Sequence, residues 1–407
     1  MLTNKKNRRD RVANLEKSQI LDPEKVKRDK KRKRKVVALT VLAAITGLLA
    51  AAFAAFLIVG AIGKANLRSN VIAAPKLENA PVVIELQPTE EEAAGWKEGW
   101  VKYNGQVYAY NEDILTFLVM GIDKNRDVKE VEEGTNGGQA DALFLVVLNP
   151  HDNSLSVIGI NRNTMTDISV YDDNGAYVNT IKAQIAVQHG FGNGVEESCE
   201  YQVNAVQHLF YEMPVHGYAA INMSAIGPLT DMVGGVDVVA LEDIKSGNST
   251  VIKEGEEVHL EGDLAFAYIH NRDTKEFGSA DHRLERQKQF ITTYLQKVKQ
   301  KTKEDIGFPI SVYQSIAPQT VTSLTVDEMT YLVSIAKDYS FDENYLYTLK
   351  GETKQGDVFE EFYVDETDLF EYANDKIVNG KSIVIDNEDA FIVFTQLVWS
   401  FMQADFA

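Results

Sequence analysis

Three charged side chains stand at the ends of apolar runs that are separated by polar turns. Asp123 closes the first run, Asp141 precedes the second and Arg162 follows the third. The link between the second and third runs is too short for a parallel crossover, and antiparallel pairing brings all three side chains to one edge of a sheet. Carboxylates bind hard cations such as Mg²⁺, and the arginine fork binds phosphate oxygens. The spacing therefore predicts a site where a cation and a phosphate group meet.

A second basic group follows later in the chain. It consists of His270 and Arg272, and then of Arg283, Arg286 and Gln287. On a helix, Arg283 and Gln287 are four residues apart and share one face, with Arg286 beside them. The unpaired N–H groups of a first helical turn also favour an anion. Two interpretations stay open at this point: an anion of pyrophosphate size, or surface ion pairs with the many carboxylates of this acidic chain.

The elements that position these residues are predicted to form an α/β fold, with a mixed, largely antiparallel central sheet flanked by helices in layers. The three apolar runs predict strands at Leu115–Met120, Ala142–Leu148 and Leu155–Ile160. Before them, Trp100–Asn111 alternates apolar and polar residues around an Asn-Gly pair, which is typical of a β-hairpin.

After the third strand, helical and strand patterns alternate. The apolar spacing predicts helices at Ile181–His189, Tyr201–Tyr211, Ile226–Met232, Arg283–Lys299 and Val326–Lys337. Short apolar runs predict strands at Ala219–Ser224 and Val236–Leu241, and Leu264–Arg272 fits a helix as well as a strand.

One segment is long and apolar enough to cross a membrane. Val36–Ile62 carries no charged residue, and its 27 residues as a helix span about 40 Å, against about 30 Å of bilayer core. A cleaved signal has a shorter apolar stretch, so the pattern favours a retained anchor. Residues 1–35 hold 15 Lys+Arg against 5 Asp+Glu, which places the N-terminus in the cytoplasm and the rest of the chain outside. The alternative, a buried helix of a soluble protein, would normally keep one polar face.

The anchor divides the chain into parts with different compositions. We expect a basic cytoplasmic tail (1–35), a transmembrane helix (36–62), an extracytoplasmic stalk (63–99), a catalytic domain (100–379) and a C-terminal extension (380–407). The whole chain carries −19 and the part after residue 35 carries −29, so we expect no nucleic-acid partner outside the basic tail. The single cysteine, Cys199, excludes an intrachain disulfide, and no Cys/His cluster suggests zinc. Such an exported, disulfide-free domain fits a bacterial cell envelope.

Six blocks in order resemble the LytR–CpsA–Psr family of bacterial cell-envelope phosphotransferases. They are FLVMGID (Phe117 to Asp123), ADALFLVVLNP (Ala140 to Pro150), SVIGINRNT (Ser156 to Thr164), NTIKAQIAVQHG (Asn179 to Gly190), LTDMVGGVDV (Leu229 to Val238) and HRLERQKQF (His282 to Phe290). The resemblance covers roughly 100–380, and the anchor with its basic tail matches the family's usual layout. It implies a membrane-anchored transferase that moves a glycopolymer, such as a teichoic acid or a capsule polymer, from a polyprenyl-pyrophosphate carrier to peptidoglycan.

The resemblance also implies roles for the clustered side chains. Asp123, Asp141, Arg162 and Arg272 would be the catalytic residues, and Asp123 and Asp141 would also hold Mg²⁺ or Mn²⁺ with the pyrophosphate. The pyrophosphate would be bound by a larger set of residues, namely Arg162, Arg272, Arg283, Arg286, Gln287 and His270. The prenyl chain would lie in an apolar cleft between sheet and helices, although the same apolar residues also fit an ordinary core.

Some positions depart from the family's pattern. Gln139 and His270 stand where arginines are usual, Asn163 stands where an aspartate is usual, and Asp281 lies one position away from the usual acidic residue. Fewer arginines weaken anion binding, so two alternatives to the transferase stay open. One is a degenerate family member that binds lipid-linked glycan without turnover. The other is a transcriptional attenuator, although an exported domain has no access to DNA.

Overall fold

The computed structural model describes residues 23–69 and 100–396 with short gaps. The gaps are 104–105, 110–112, 132–136, 173, 211–212, 337, 342–345, 366, 370–384, 387–390 and 393–394. Most of the basic tail, most of the expected stalk and the hairpin's Asn-Gly turn lie outside the described residues, as does most of the C-terminal extension.

Strands and helices alternate along the described chain. The strands are β1 (Trp100–Tyr103), β2 (Gln106–Ala109), β3 (Leu115–Ile122), β4 (Ala140–Asn149), β5 (Ser154–Ile160), β6 (Met165–Tyr171), β7 (Tyr177–Gln184), β8 (Gly217–Asn222), β9 (Val236–Val239), β10 (Ile244–Ser246), β11 (Ser249–Ile252), β12 (Glu257–Leu260), β13 (Thr320–Thr322), β14 (Leu346–Thr348), β15 (Gly351–Gln355), β16 (Glu360–Val364), β17 (Ile385–Asp386), β18 (Phe391–Ile392) and β19 (Thr395–Gln396). The helices are α1 (Pro23–Ser69), α2 (Glu196–Leu209), α3 (Ile226–Met232), α4 (Gly262–His270), α5 (Ser279–Glu304), α6 (Phe308–Ile316) and α7 (Val326–Ala336), with 3₁₀ turns at Ile185–Phe191, Met223–Ala225 and Ala317–Gln319.

A mixed six-stranded sheet, in the order β13-β8-β3-β4-β5-β14, forms the centre of the domain. The pairs β3–β4 and β4–β5 are antiparallel, as the sequence predicts, and β13–β8 is antiparallel as well. The pairs β3–β8 and β5–β14 are parallel. The predicted α/β class with a largely antiparallel sheet is therefore confirmed.

Side chains alternate between the two faces of this sheet, and helices cover both. Leu118 and Met120 of β3 face a core that includes Val203 and Val206 of α2. On the opposite face, Phe144 packs with residues of β5 and α5, such as Val157 and Leu284. The layered arrangement places α5, with its arginines, directly over the strands that carry Asp141 and Arg162.

One helix prediction is wrong. The segment Ile181–His189 begins within β7, which pairs antiparallel with β6, and continues as the 3₁₀ turn. Most side chains of β7 are exposed or half-buried, so its few apolar residues mimic a helical stripe. The helices expected after it are present, and the ambiguous segment at Leu264–Arg272 is helical as far as His270.

The predicted anchor lies within α1, which extends beyond it in both directions. Within this helix, Ile45–Ser69 is long and apolar enough to cross a membrane by length and composition. The chain divides into two compact units between Val59 and Gly60, so the last ten residues of α1 belong to the same unit as the sheet domain. Residues 63–69, which were expected to begin a stalk, are therefore helical and part of the folded domain.

The end of α1 packs on the domain through few but specific contacts. A side chain at Gly63 would place its Cβ 2.0 Å from the Asp327 carbonyl oxygen, so only glycine allows this approach. One turn later, Asn66 donates a hydrogen bond of 2.7 Å to the Asp327 carboxylate. Leu67 is fully buried in an apolar cluster with Leu115 of β3 and residues of neighbouring elements.

We predict that Leu67→Ala lowers the free energy of unfolding of the domain by about 2–5 kcal/mol, because the truncation leaves a cavity in this cluster. Thermal or denaturant unfolding of the full chain in detergent measures the effect. Ile62→Ala is the matched control, since Ile62 is about half exposed and its truncation empties no cluster in the described structure. Equal stabilities of the two variants would contradict the packing of α1 on the domain.

Candidate functional site

An aspartate held between two arginines is the centre of the site. Arg283 donates a hydrogen bond of 3.0 Å from Nη1 to Asp141 Oδ2, and its Nη2 donates to the Asp141 backbone carbonyl at 3.3 Å. Arg162 Nε lies 3.1 Å from Asp141 Oδ1, an ion pair in which the N–H does not point at the carboxylate. The predicted meeting of Asp141 and Arg162 is therefore present, with Arg283 as a third member.

Local chain geometry aims these side chains at one another. Asp141 is the second residue of β4, next to the point where the β3–β4 register shifts between Gly121 and Ile122. Arg162 lies in the tight turn after β5. This turn is closed by hydrogen bonds of 3.0 and 2.7 Å from the Thr164 N–H and Oγ1 to the Asn161 carbonyl oxygen. Side-chain bonds of this kind fix a turn where no regular ladder continues.

Arg283 is buried, and its charge depends on its neighbours. Burial lowers its pKa to about 10; Asp141 opposes this shift, while Arg162 and Arg272 add to it. The guanidinium therefore stays protonated at neutral pH, at an electrostatic cost that a second anion would relieve. Three arginines around the half-buried Asp141, with Glu360 near Arg272, leave a local excess of positive charge, which favours binding of a diphosphate.

Arg272 completes this cluster from the loop between α4 and α5. Its Nη1 donates a hydrogen bond of 2.9 Å to Ser279 Oγ, at the first residue of α5. Burial and the nearby Arg162 lower its pKa, and Asp141 and Glu360 oppose that shift. Gly278, immediately before α5, has a φ of 78°, a left-handed conformation that favours glycine and turns the chain into the helix.

Asp123 is joined to the cluster through Gln139. The Gln139 N–H donates to Asp123 Oδ1 at 2.7 Å, and the Asp123 N–H donates to the Gln139 carbonyl at 3.0 Å. The Gln139 side-chain oxygen in turn accepts a hydrogen bond from Arg162 Nη2. Gln139, which stands where the family usually has an arginine, therefore orients Arg162 instead of adding a charge.

No cluster of three or more His, Cys, Asp or Glu side chains suited to a metal occurs in the part of the chain that the structure describes. A magnesium ion that arrives with phosphate oxygens needs only one or two carboxylates from the protein. Asp123 is exposed, and each Asp141 oxygen, although close to an arginine, keeps a second lone pair. The donor set therefore fits a cation that shares its coordination sphere with a bound diphosphate.

Arg286 lies apart from the anion cluster. It is buried, pairs through Nε with Glu242 at 2.6 Å, and donates to the backbone carbonyls of Tyr268 and Asn271. The structure therefore gives Arg286 the position of a brace between α5 and the end of α4. This position offers no support for its predicted contact with pyrophosphate.

An apolar cavity of about 260 Å³ lies between the sheet and α5. Its walls include Val119 of β3, Phe144 of β4, and Phe290 and Tyr294 of α5. Four polar side chains close one part of its lining, namely Asp141, His270, Arg283 and Gln287. Gln287 donates a hydrogen bond to the Ile269 carbonyl at 3.2 Å, and the His270 ring stacks on Phe266.

A first polar cleft adjoins this cavity, and a second polar cleft adjoins the first. A large one of about 880 Å³, the polar cleft, shares Asp141, His270 and Arg283 with the apolar cavity and extends to Arg272 and Lys275. A smaller one of about 380 Å³, the side cleft, shares Arg272, Thr274 and Lys275 with the polar cleft. Its remaining lining is Gln139, Arg162, Asn163, Gln184, Val187, Phe277, Gln355, Val358, Phe359 and Glu360.

Several residues of the site had no signal in the sequence. Glu360 accepts a hydrogen bond from the Gly278 N–H at 2.8 Å, although 82 residues separate them, and Gln184 donates to the Glu360 carbonyl at 2.7 Å. Asp281 accepts hydrogen bonds from Asn161 and Thr353 and contacts none of the cluster arginines among the described residues. Asn161 could have been indicated only by its position beside Arg162 at the end of β5. Glu360 could have been indicated only by the tertiary fold.

Cys199 is fully buried, with its sulfur 3.8 Å from His189 Nε2. Burial raises the pKa of the thiol and lowers that of His189 to about 4, so both are neutral at physiological pH. The pair therefore behaves as packing and not as an activated nucleophile.

Comparison with known proteins gives consistent results. The LytR_cpsA_psr family matches residues 85–378. Over 216 residues the chain is 28% identical to a Bacillus cereus protein named polyisoprenyl-teichoic acid–peptidoglycan teichoic acid transferase TagU, covering 53% of this chain and 62% of that one. A Halalkalibacterium halodurans protein of the same name is 26% identical, with 55% and 65% covered. These matches span less than two thirds of the relatives' own length.

The crystal structure of protein gbs0355 from Streptococcus agalactiae has a related fold. It superimposes with a TM-score of 0.50 at 20% sequence identity, covering 63% of this chain and 84% of that one. Because the family match spans well over half of the sequence and includes every residue of the arginine cluster, the chain belongs to the LytR_cpsA_psr family.

Proposed function

We propose that this chain is a membrane-anchored phosphotransferase that moves a glycopolymer from a polyprenyl-pyrophosphate carrier to peptidoglycan. The observation that carries the proposal is the continuity between the apolar cavity and the cationic cluster, which share Asp141 and Arg283. A prenyl diphosphate has the same two parts, an apolar chain and a compact anion. The names of the curated relatives, which are transferases of teichoic acid to peptidoglycan, support the same function.

The protein's own residues would act mainly by binding and electrostatics. Arg162, Arg272 and Arg283 would neutralise the diphosphate, and Gln139 would keep Arg162 oriented through its hydrogen bond. A hydroxyl group of the acceptor would attack phosphorus, and the bond to the lipid phosphate would break, with its electron pair leaving on the lipid phosphate oxygen. Preorganised cations lower the barrier to such a transfer because the developing charge lies on phosphate oxygens.

Asp123 and Asp141 would hold Mg²⁺ or Mn²⁺ beside the diphosphate. A bound divalent cation supplies Lewis-acid stabilisation of phosphate oxygens. Gln139 bonds Asp123 through its N–H and Arg162 through its side chain, and Asp141 lies two residues later. The same short segment would therefore fix the position of the cation and the orientation of Arg162.

Helix α1 would anchor the enzyme at the membrane that contains its donor. By the basic residues before the apolar stretch, the N-terminus would lie in the cytoplasm and the domain would face the cell wall. In the absence of an acceptor, water would replace the hydroxyl and give a weak pyrophosphatase activity. The polymer would be a teichoic acid or a capsule-like glycan.

Removal of the cluster arginines should reduce turnover. We expect Arg162→Ala and Arg272→Ala each to lower kcat/KM by about 10- to 100-fold, since a charge-assisted hydrogen bond contributes about 1.5–3 kcal/mol. Release of prenyl phosphate from a lipid-linked glycan by the full chain in detergent measures this. Arg126→Ala, an exposed arginine after β3, is the control. A wild type as inactive as the variant with both Arg162→Ala and Arg272→Ala, with equal lipid binding, would instead indicate a binding protein without turnover.

Metal removal should abolish the same activity. We expect a chelator to stop prenyl phosphate release and added Mg²⁺ to restore it. Asp123→Asn should raise the Mg²⁺ concentration needed for half-maximal rate severalfold, because it removes a charged ligand. Asp127→Asn, an exposed aspartate in the same loop, should leave that concentration unchanged. Full activity in the presence of chelator would refute the metal role.

Partial filling of the apolar cavity should discriminate between donors by chain length. Met223 lines the cavity from a short 3₁₀ turn, and we expect Met223→Trp to raise the KM for a long-chain prenyl donor. A short-chain donor, which fills less of the cavity, should be affected little by the same variant. Equal effects on both donors would mean that the prenyl chain lies elsewhere.

A further inference from the structure

The side cleft reaches the cationic cluster without entering the apolar cavity. It shares Arg272 with the polar cleft, and it shares no lining residue with the apolar cavity. The three spaces therefore follow one another in the order apolar cavity, polar cleft, side cleft. In a phosphoryl displacement the attacking and leaving oxygens lie roughly in line on opposite sides of phosphorus. With the lipid on the side of the apolar cavity, the attacking group would approach from the side cleft.

Three exposed apolar side chains surround this cleft. Phe277 is 56% exposed, Val358 is 74% exposed and Phe359 is 66% exposed. All three line a space whose other lining residues, apart from Val187, are polar or charged and include the cations Arg162 and Arg272. Exposed aromatic side chains beside polar groups indicate a binding surface for a ligand with both apolar faces and polar edges. Sugar rings have this character, because C–H groups form their faces and hydroxyl groups their edges.

The wall of the cleft is held rigidly. The Phe362 N–H of β16 donates to the Asn163 carbonyl at 2.9 Å, next to Arg162. Gln184 at the end of β7 donates to the Glu360 carbonyl at 2.7 Å, and the Gly278 N–H donates to Glu360 Oε1 at 2.8 Å. The β15–β16 hairpin, the turn after β5 and the start of α5 are thereby joined at one place. A preorganised wall of this kind reduces the entropy lost on binding.

Glu360 is the single carboxylate among the described residues that line the side cleft. Its Oε1 accepts the Gly278 N–H, and its Oε2 is 3.5 Å from Asn163 Nδ2, so lone pairs stay available on both oxygens. Asp141, in contrast, forms ion pairs with Arg162 and Arg283, whereas the nearby Arg272 interacts with Glu360 electrostatically without forming an ion pair among the described residues. Glu360 is therefore the group best placed to take a proton from an incoming hydroxyl group.

We infer that the side cleft is the acceptor site, that it binds a glycan chain through Phe277 and Phe359, and that Glu360 is the general base for the attacking sugar hydroxyl. This inference rests on the proposed transferase function. In the step, the hydroxyl O–H bond breaks and its proton passes to the Glu360 carboxylate, while the sugar oxygen forms a bond to phosphorus. The bond from phosphorus to the lipid phosphate oxygen breaks, and that oxygen keeps the electron pair.

Direct binding tests the site independently of catalysis. Soluble, uncross-linked peptidoglycan strands with a fluorescent label are the probe, and the full chain in detergent is the receptor. We expect Phe277→Ala and Phe359→Ala each to weaken binding by about 2- to 10-fold, the range for loss of an aromatic contact. Tyr363→Ala is the matched control, because Tyr363 is an exposed aromatic residue of β16 that does not line the cleft. No binding by wild type, or equal binding by all variants, would overturn the site.

Turnover tests the base. We expect Glu360→Gln to lower kcat for transfer to the strands by about 10²- to 10⁴-fold, with binding of donor and of strands unchanged. The glutamine keeps an oxygen for the Gly278 N–H and removes only the charge. Glu361→Gln is the control, since Glu361 alternates to the other face of β16 and bonds the Tyr363 hydroxyl. An unchanged kcat in Glu360→Gln would overturn the role of Glu360.

The two readouts separate failure of this inference from failure of the proposed function. A wild type that transfers glycan while Phe277→Ala and Phe359→Ala keep the wild-type acceptor KM would refute the acceptor site and leave the transferase intact. A wild type that binds strands through the two phenylalanines and transfers nothing would refute the transferase, and with it the base, and would leave a glycan-binding cleft.

Discussion

The ion pairs of Asp141 with Arg162 and Arg283 are the interaction on which the rest of the site depends. Burying an unpaired guanidinium costs several kcal/mol, and Arg283 is almost fully buried. Asp141 offsets part of that cost, and Glu360 lies near Arg272, but two carboxylates do not neutralise three arginines. The folded domain thus holds a buried positive charge that a diphosphate is well suited to complete. Burial is the main cause of the lowered pKa values of Arg272 and Arg283, and the neighbouring arginines add to it.

Three elements of the layered fold contribute one residue each to this cluster. Asp141 lies in β4, Arg162 lies in the turn after the adjacent strand β5, and Arg283 lies in α5, which packs on one face of the sheet. The apolar cavity lies in the gap between the sheet and α5, so its wall and the cluster share one set of elements. Arg286, one position off the Arg283–Gln287 face, secures α5 to the α4 end by bonding two backbone carbonyls. The helix therefore supplies both Arg283 and the brace that keeps Arg283 in place.

Sequence patterns predicted the parts of this arrangement that are local. Asp123, Asp141 and Arg162 follow from strand alternation and a short turn, because antiparallel neighbours must return to the same edge. Periodicity placed Arg283 and Arg286 on one helix but gave no information on which side the end of α4 would lie, so it could not indicate that Arg286 bonds the α4 carbonyls. Strand β7 was mistaken for a helix because it is itself an exposed to half-buried hairpin strand with little apolar alternation. Glu360 meets Asn163 and Gly278 only through long-range packing, which no window of sequence contains.

The departures from the family's pattern have a common physical effect. The Gln139 side chain accepts a hydrogen bond from Arg162, and its backbone carbonyl accepts one from the Asp123 N–H. Gln139 therefore replaces a charge with an orienting contact. Asn163 removes a negative charge from the turn that carries Arg162, and its carbonyl holds the β16 wall. A lost cation at residue 139 and a lost anion at residue 163 offset one another electrostatically, whereas the replacement of a second arginine by His270 is not offset in this way. Gln139 and Asn163 both line the side cleft. There, such a change would alter recognition of the proposed acceptor and leave the proposed diphosphate site in place.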